Sequence, residues 1–315
     1  MKKLLMVIPL VILLCFTFSC KQGEEPTVEE TEEEVTSGTV KIDGFELPYF
    51  VEGTGVPCIV INDAPGMSRA FSKELRKYFK FIFMNSRHNT PYDESSNISK
   101  ITLDTFVDDI ELVRRTLGFN KICVLGHSIF GLIALEYARK YPENTTHVIM
   151  NGTPPYMNAE SEKISKEYWK SRASEERKMI LKQNWEKISE DRLSSLPPGE
   201  ADILRYITNS PMYWYDPKYD CSWLLEGEKW NDDVWKQMVS MFRSEYDIAH
   251  RTQITTPIFL SLGRFDYVVP YYMWDDLKKK FSSLTIVILE KSGHWAFIEE
   301  QELYDKKLIG WIKSH

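Results

Sequence analysis

Residues 121–135 of this 315-residue chain read Lys-Ile-Cys-Val-Leu-Gly-His-Ser-Ile-Phe-Gly-Leu-Ile-Ala-Leu. The short apolar run before Gly126 predicts a buried strand, and the run after Gly131 predicts a helix. Ser128 therefore falls on a sharp turn between a strand and a helix. Such a turn strains the backbone of the serine and needs small neighbours, so that the hydroxyl can project into a cleft. Ser128 is the first candidate for a nucleophile.

This segment resembles the nucleophile elbow of the α/β-hydrolase superfamily. The common form of that elbow has glycine at both the second and the third position after the serine. Here Phe130 stands at the second position and Gly131 at the third. A coincidental Gly-x-Ser between a strand and a helix is the alternative interpretation, and the rest of the chain decides between the two.

Two residues further along the chain complete the order that the superfamily shows, which is serine, then acid, then histidine. Asp266 follows an apolar strand that starts at Pro257, and His294 follows the strand Leu284–Leu289. Open parallel sheets bind their ligands at the C-terminal ends of strands. The resemblance therefore implies a catalytic triad of Ser128, His294 and Asp266, in which the histidine is the base and the aspartate orients it.

The resemblance also implies two backbone N–H donors for a developing oxyanion. One is the amide of Ile129, which directly follows the nucleophile. The other comes from the loop after the strand Cys58–Ile61, where Ala64 is the best candidate. Asn62 and Asp63 replace the His-Gly that is usual in this loop. An ordinary Pro-Gly turn is the alternative for this segment.

Strands and helices alternate along the chain, which predicts an α/β fold: a mostly parallel central sheet with helices on both faces. The resemblance to the proline iminopeptidase-like branch of the superfamily covers residues 45–154 and 253–313. We predict the folded core at 39–154 and 253–315, with helices near Ser68–Tyr78 and Tyr271–Phe281.

Residues 155–252 have a different character, because they are charged, rich in aromatics and helical in pattern. The superfamily places a cap at this point, and we predict a helical cap that supplies the substrate pocket. The segment 211–217 contains prolines, which predict a loop. We predict that Tyr213 and Trp214 of this loop line the pocket together with Phe130 and Trp295. Packing of the cap itself is the alternative role for each ring.

The first twenty residues predict an export signal, since Lys2 and Lys3 precede an apolar run that is short for a membrane span. The serine and cysteine at 19–20 resemble a bacterial lipoprotein signal, which implies a lipid anchor on Cys20. Residues 21–38 predict a disordered acidic tether. The chain is thus expected in the cell envelope, lipid-anchored to the periplasmic or surface face of a membrane. Simple secretion and an uncleaved anchor are the alternatives.

Composition narrows the possible partners. The net charge is −7, and residues 21–40 hold seven glutamates against one lysine, so the acidity belongs mainly to the predicted tether. A clustered basic face, which nucleic-acid binding needs, is not evident in the sequence. The five cysteines show no spacing typical of a disulfide framework or a metal site. No cofactor and no metal are expected, and the oligomeric state is left open.

Two functional hypotheses follow. The first is a serine hydrolase that cleaves a carboxylic ester or an N-terminal peptide bond through an acyl-enzyme, with a small-molecule ester or a short peptide as substrate. The second is a lipoprotein of the same fold that binds a ligand or partner without turnover. Phe130 and the altered loop at Asn62 motivate the second hypothesis, and the complete triad order favours the first.

Overall fold

The computed structural model describes residues 36–315 except 63, 94–95, 245, 247, 249–250 and 252. The predicted signal segment, Cys20 and the predicted tether up to residue 35 lie outside the described residues, as does Asp63. None of the helices in the described ranges is both long and apolar enough to cross a membrane.

Within the described residues, eight strands form one sheet. They are β1 (Thr36–Ile42), β2 (Phe45–Glu52), β3 (Val56–Asn62), β4 (Phe79–Asn85), β5 (Ile122–His127), β6 (Thr145–Asn151), β7 (Ile258–Gly263) and β8 (Leu284–Leu289). Their order across the sheet is β1-β2-β4-β3-β5-β6-β7-β8. Strand β2 runs antiparallel to both of its neighbours, and the strands from β4 to β8 are parallel. The predicted fold class is confirmed.

Helices connect these strands. Those outside the long connection between β6 and β7 are α1 (Ala64–Ala70), α2 (Leu103–Thr116), α3 (Ile129–Lys140), α10 (Ala296–Glu299) and α11 (Gln301–Ile312). The connection itself holds α4 (Ala159–Arg172), α5 (Glu175–Glu186), α6 (Glu190–Ser195), α7 (Pro198–Thr208), α8 (Ser210–Tyr213) and α9 (Asp232–Ser244). We refer to residues 159–244 as the helical insertion.

The two faces of the sheet are buried in two separate apolar layers, because side chains alternate along a strand. On β3, Ile59 and Ile61 belong to the layer that also contains Phe106 of α2 and Leu132 of α3. Cys58 and Val60 belong to the opposite layer, with Met67 of α1 and with Leu308 and Trp311 of α11. Both faces of the parallel strands are thus covered, and their C-terminal ends are left to form a site.

The first strand starts earlier than the sequence predicts. β1 begins at Thr36 and pairs with β2 from Thr36 opposite Val51 to Ile42 opposite Phe45. The turn between them has positive φ at Asp43 and Gly44, as a tight hairpin requires. Residues 36–38, which we assigned to the tether, are therefore part of the sheet.

The helix predicted at Ser68–Tyr78 is shorter and begins earlier, since α1 spans Ala64–Ala70 and a 3₁₀ turn follows at Leu75–Lys77. The guanidinium of Arg76 donates to the carbonyl oxygens of Ser68 at 2.9 Å and of Phe71 at 2.7 Å. Carbonyls at a helix end need such partners when the helix stops. The arginine thus stabilises the end of α1.

The helix predicted at Tyr271–Phe281 is instead two 3₁₀ turns, Tyr271–Trp274 and Lys278–Lys280. The backbone bonds of this segment join residues three apart, such as Leu277 N–H to the carbonyl of Trp274. The indole of Trp274 donates to the carbonyl of Thr153 at 2.8 Å. The local pattern could not show this tertiary contact, which joins residues more than a hundred positions apart.

Candidate active site

Ser128 lies between β5 and α3 in a strained conformation, with φ 55° and ψ −128°. Its amide donates to the carbonyl of Asn151 at 2.8 Å. A Cβ added to Gly126 would lie 2.2 Å from the backbone of Phe130, and one on Gly131 would lie 1.9 Å from Oγ1 of Thr153. Both flanking glycines are therefore required by close approach. Phe130, at the position where the common motif has its other glycine, is buried and lines the cavity described below.

Asp266 and His294 are brought together at the ends of β7 and β8. Nδ1 of His294 lies 2.6 Å from Oδ2 of Asp266. The other carboxylate oxygen accepts the amides of Val268 at 2.9 Å and Val269 at 2.7 Å. The carboxylate is fully buried and held from both sides. It can therefore fix the orientation of the imidazole.

The backbone of His294 is held as firmly as its ring. Its amide donates to the carbonyl of Tyr213 at 2.6 Å, and its carbonyl oxygen lies 3.1 Å from Nε2 of His127. At Gly152, which has positive φ, an added Cβ would lie 2.7 Å from the carbonyl oxygen of His294. A side chain at position 152 would therefore displace the histidine loop.

Ser128 and His294 line one cavity of about 420 Å³, between the strand ends and the helical insertion. The lining is mostly apolar and aromatic. Its aromatic members are His88, His127, Phe130, Tyr206, Tyr213, Trp230, Trp235, His294 and Trp295. Cavities of this size and character are typical of small-molecule sites.

Of the four residues predicted for the pocket, Phe130, Tyr213 and Trp295 line this cavity, whereas Trp214 does not. The prediction for Trp214 is wrong, because its side chain is fully buried and stacks on Tyr219 with ring centroids 4.2 Å apart. The cause is a helix where we predicted a loop. Residues Ser210–Tyr213 form α8, so the following side chain turns into the protein interior.

Arg177 of α5 holds this segment in place. Its guanidinium is buried and donates to the carbonyl oxygens of Pro211 and Trp214, each at 2.7 Å, and also to that of Tyr215. These bonds come from a residue more than thirty positions away in the chain. Burial of Trp214 is therefore a tertiary effect.

The two predicted oxyanion donors have different surroundings. Ile129 is the first residue of α3 and lines the cavity, so its N–H is one of the helix-start donors that have no partner within the helix. The N–H of Ala64 donates to Oδ1 of Asn85 at 2.8 Å, and Ala64 is not among the cavity-lining residues. The prediction for Ala64 is therefore wrong in this structure. Asn62, which has a positive φ of 150°, lines the cavity instead.

Two neighbouring glutamates bind the histidine loop to the rest of the protein. The carboxylate of Glu299 accepts the amides of Gly293 and Tyr215, each at 2.6 Å. That of Glu300 accepts the amide of Lys291 and the hydroxyl of Ser292, each at 2.7 Å. Burial, together with the charge of Asp266, raises the pKa of Glu299 to about 7, although its hydrogen bonds oppose the shift. Glu299 thus joins the helical insertion to the histidine loop.

His88 is a cavity residue that the sequence analysis missed. It lies in the 3₁₀ turn Arg87–Asn89 directly after β4, at the same edge of the sheet as the other strand-end residues. The sequence could have indicated His88 as a site residue, because it follows a buried parallel strand. Burial lowers the pKa of His88 to about 3, so the imidazole is neutral near pH 7. Its Nδ1 has no hydrogen-bond partner in the described part of the protein.

The part of the chain that the structure describes holds no titratable cluster of the kind that binds metals. Among the described residues, no group of three or more histidine, cysteine, aspartate or glutamate side chains is arranged to bind a metal ion. The described cysteines Cys58, Cys123 and Cys221 are free and buried. Desolvation by burial raises the pKa of the Cys58 thiol.

Comparisons with known proteins identify relatives of this chain. The chain is 28% identical over 278 residues to the AB hydrolase superfamily protein YclE of Bacillus subtilis, covering 88% of this chain and 98% of that protein. It is 29% identical to a proline iminopeptidase of Flavobacterium johnsoniae, covering 82% of this chain and 90% of that protein. Among solved structures, an esterase from Exiguobacterium antarcticum superposes with a TM-score of 0.60 at 17% identity, covering 88% of this chain and all of that one.

A family model described as the alpha/beta hydrolase fold matches residues 64–301, which is most of the chain and includes Ser128, Asp266 and His294. The protein is an enzyme of the α/β-hydrolase fold family.

Proposed function

We propose that the protein is a serine hydrolase that cleaves a carboxylic ester or an N-terminal peptide bond through an acyl-enzyme. The observation that carries this proposal is the shared cavity of Ser128 and His294, with the imidazole bound to Asp266 at 2.6 Å. A serine on a strained strand-to-helix turn, a histidine and a fully buried carboxylate are the parts that such catalysis needs.

In the first half of the reaction, Oγ of Ser128 attacks the substrate carbonyl carbon while Nε2 of His294 takes the hydroxyl proton. The bond to the leaving group then breaks, and the imidazolium gives its proton to the departing oxygen or nitrogen. Asp266 accepts a hydrogen bond from the N–H at Nδ1. This bond orients the imidazole and stabilises the imidazolium when it forms. Water repeats the same steps on the acyl-enzyme, releases the acid and restores Ser128.

The tetrahedral intermediate places a negative charge on the former carbonyl oxygen, which needs preorganised donors. We assign one donor to the amide of Ile129, which lies where the positive end of the α3 dipole also favours an anion. Because the amide of Ala64 is bound to Asn85, we assign the second donor to the side-chain amide of Asn62.

The lining of the cavity favours a carboxylic ester with a large apolar group. Apolar and aromatic side chains predominate in the lining, and its charged members have partners: Arg205 pairs with Asp202 at 2.6 Å, and Trp230 donates to Glu228. The relatives include proteins named proline iminopeptidase. Aminopeptidase activity is therefore the second candidate, in which Asp202 or Glu228 would face the substrate's ammonium group.

Labelling with a fluorophosphonate probe tests the mechanism directly, because only an activated serine reacts with it. We expect the 36–315 fragment to be labelled, Ser128→Ala to lose the label, and the exposed Ser171→Ala on α4 to keep it. Nitrophenyl esters and aminoacyl anilides then separate the two candidates. Absence of labelling in well-folded wild-type protein would favour ligand binding without turnover.

We also propose that the chain is exported and attached to a membrane of the cell envelope by lipid on Cys20. The supporting observation is the apolar segment that ends in serine and cysteine at 19–20. Full-length protein expressed in a bacterial host should incorporate labelled palmitate and partition into detergent, and Cys20→Ser should do neither. Incorporation that is equal in the variant would show that the anchor is elsewhere or absent.

A further inference from the structure

One wall of the cavity is made of four aromatic side chains that lie close together. The ring centroid of His88 is 5.1 Å from that of Phe130, 5.4 Å from that of Trp235 and 6.5 Å from that of Trp230. The two tryptophan rings are themselves stacked with centroids 5.4 Å apart. All four residues line the cavity that contains Ser128. We call them the His88 wall.

The position of His88 is fixed by its neighbour in the chain. Arg87 is buried and makes two parallel bonds of 2.7 Å to the buried carboxylate of Asp109 on α2. Bidentate pairs of this kind are rigid. The carbonyl of His88 also accepts the amide of Asn231 at 2.5 Å, just before α9. The imidazole is thus presented by a turn that is held on both sides.

The ring nitrogens of His88 lie among mostly apolar side chains. The residue is only 1% exposed, and its Nδ1 has no hydrogen-bond partner in the described ranges. Buried polar atoms are nearly always satisfied by protein, water or ligand. The neutral imidazole carries one donor and one acceptor nitrogen, so it can bind a hydroxyl in either direction.

A charged substituent fits this wall less well than a neutral one. His88 is neutral near pH 7, and the other three members of the wall carry no charge. The two arginines of the cavity lining each pair with a carboxylate, Arg205 with Asp202 and Arg243 with Glu162. Flat rings favour stacking with another ring. The combination favours an aromatic ring that bears a hydroxyl.

We propose that the His88 wall is a subsite for a hydroxylated aromatic group of the substrate, and that His88 determines this preference. The catalytic part of the proposal rests on the serine hydrolase function given above. A phenolic hydroxyl would satisfy the imidazole, whereas an unsubstituted ring would leave it without a partner, and such a loss is a strong source of discrimination.

Binding can be measured without turnover in Ser128→Ala. Calorimetry would compare methyl 3-(4-hydroxyphenyl)propanoate with methyl 3-phenylpropanoate, and 2-(4-hydroxyphenyl)ethyl acetate with 2-phenylethyl acetate, so that the ring is tried on either side of the ester. We expect the hydroxylated member of at least one pair to bind about tenfold more tightly. Adding His88→Phe should abolish the difference and leave the affinity for the unsubstituted ester within about threefold.

A matched control is His147→Phe. His147 is also a histidine with unpartnered ring nitrogens, and it packs on Trp311, but it does not line the cavity. This variant should keep the full preference. His88→Gln, which retains a donor and an acceptor, should keep part of it. Melting temperatures identify a variant that fails to fold, and His88→Leu, which also lacks a donor and an acceptor, then replaces His88→Phe in the comparison.

Equal affinities within both pairs would overturn the subsite, and so would a preference that persists in His88→Phe. Turnover is measured with the enzyme that keeps Ser128. Its result tests the catalytic proposal separately from the subsite. A binding preference without hydrolysis of any ester, and without fluorophosphonate labelling of Ser128, would overturn the hydrolase function and leave the subsite standing. Hydrolysis of all four esters at similar kcat/KM would do the reverse.

Discussion

The strand ends and the helical insertion contribute to the same cavity, yet their residues are placed by different forces. At the strand ends, Ser128, Asp266 and His294 are positioned by the backbone of β5, β7 and β8 and by turns that follow them directly. In the insertion, Tyr213 lines the cavity and the adjacent Trp214 is buried, because Arg177 binds the carbonyl groups of Pro211 and Trp214 on either side of Tyr213. Local order determines the first region, and long-range packing determines the second.

The largest effect is expected at the strand ends, from Asp266→Asn. The amide cannot hold His294 with its proton on Nδ1, so Nε2 no longer serves as the base. We expect kcat to fall about 10⁴-fold with little change in KM. Steady-state kinetics on an activated ester would measure it. Asp305→Asn, a buried carboxyl that accepts from Ser72 away from the cavity, is the control and should keep near-normal kcat.

The next largest effect is expected from Asn62→Asp, which replaces an amide donor by a carboxylate beside the developing oxyanion. Loss of one such donor costs about 10²–10³ in kcat. Asn209→Asp adds the same charge elsewhere in the cavity lining and should change kcat only a few-fold. Equal losses in the two variants would mean that the charge, and not the donor at Asn62, is responsible.

Trp214→Ala tests the insertion side of the comparison. The ring is fully buried, so its removal should lower the free energy of unfolding by about 3–5 kcal/mol. The melting temperature should fall by roughly 10 °C, which calorimetry can measure. Trp230→Ala, in the cavity wall, should alter relative kcat/KM among substrates with a smaller loss of stability. Should the two variants exchange these outcomes, the assignment of buried and lining rings would be reversed.

The smallest effect is expected at Glu299, where the two regions meet. Its pKa rises to about 7 in the folded protein, so the folded state holds a proton that the unfolded state releases near pH 4.5. Its contribution to stability is therefore complete below pH 4.5 and is lost as the pH rises through about 7. The melting temperature of wild type relative to Glu299→Gln should decline over that window and stay constant above it. A difference that is independent of pH would contradict the shifted pKa.

The sequence predicted most of the sheet, including β8 at Leu284–Leu289, since apolar runs and strand order are local signals. It also singled out three residues that line or border one cavity. It did not predict that the amide of Ala64 is bound to Asn85, 21 residues away, or that His88 faces the cavity. Those outcomes depend on which elements become neighbours, and no single segment carries that information.

The bond between the carbonyl of Tyr213 and the amide of His294 matters for protein engineering. The insertion is the natural segment to exchange when a new specificity is sought, because it supplies much of the cavity wall. Here a carbonyl group of the insertion, that of Tyr213, also holds the backbone of His294, the proposed base. A chimera that imports a foreign insertion must therefore reproduce a hydrogen-bond acceptor at that point, or import the loop 291–294 as well. Recombination boundaries chosen only by sequence position would separate the carbonyl group of Tyr213 from the amide of His294 that it binds.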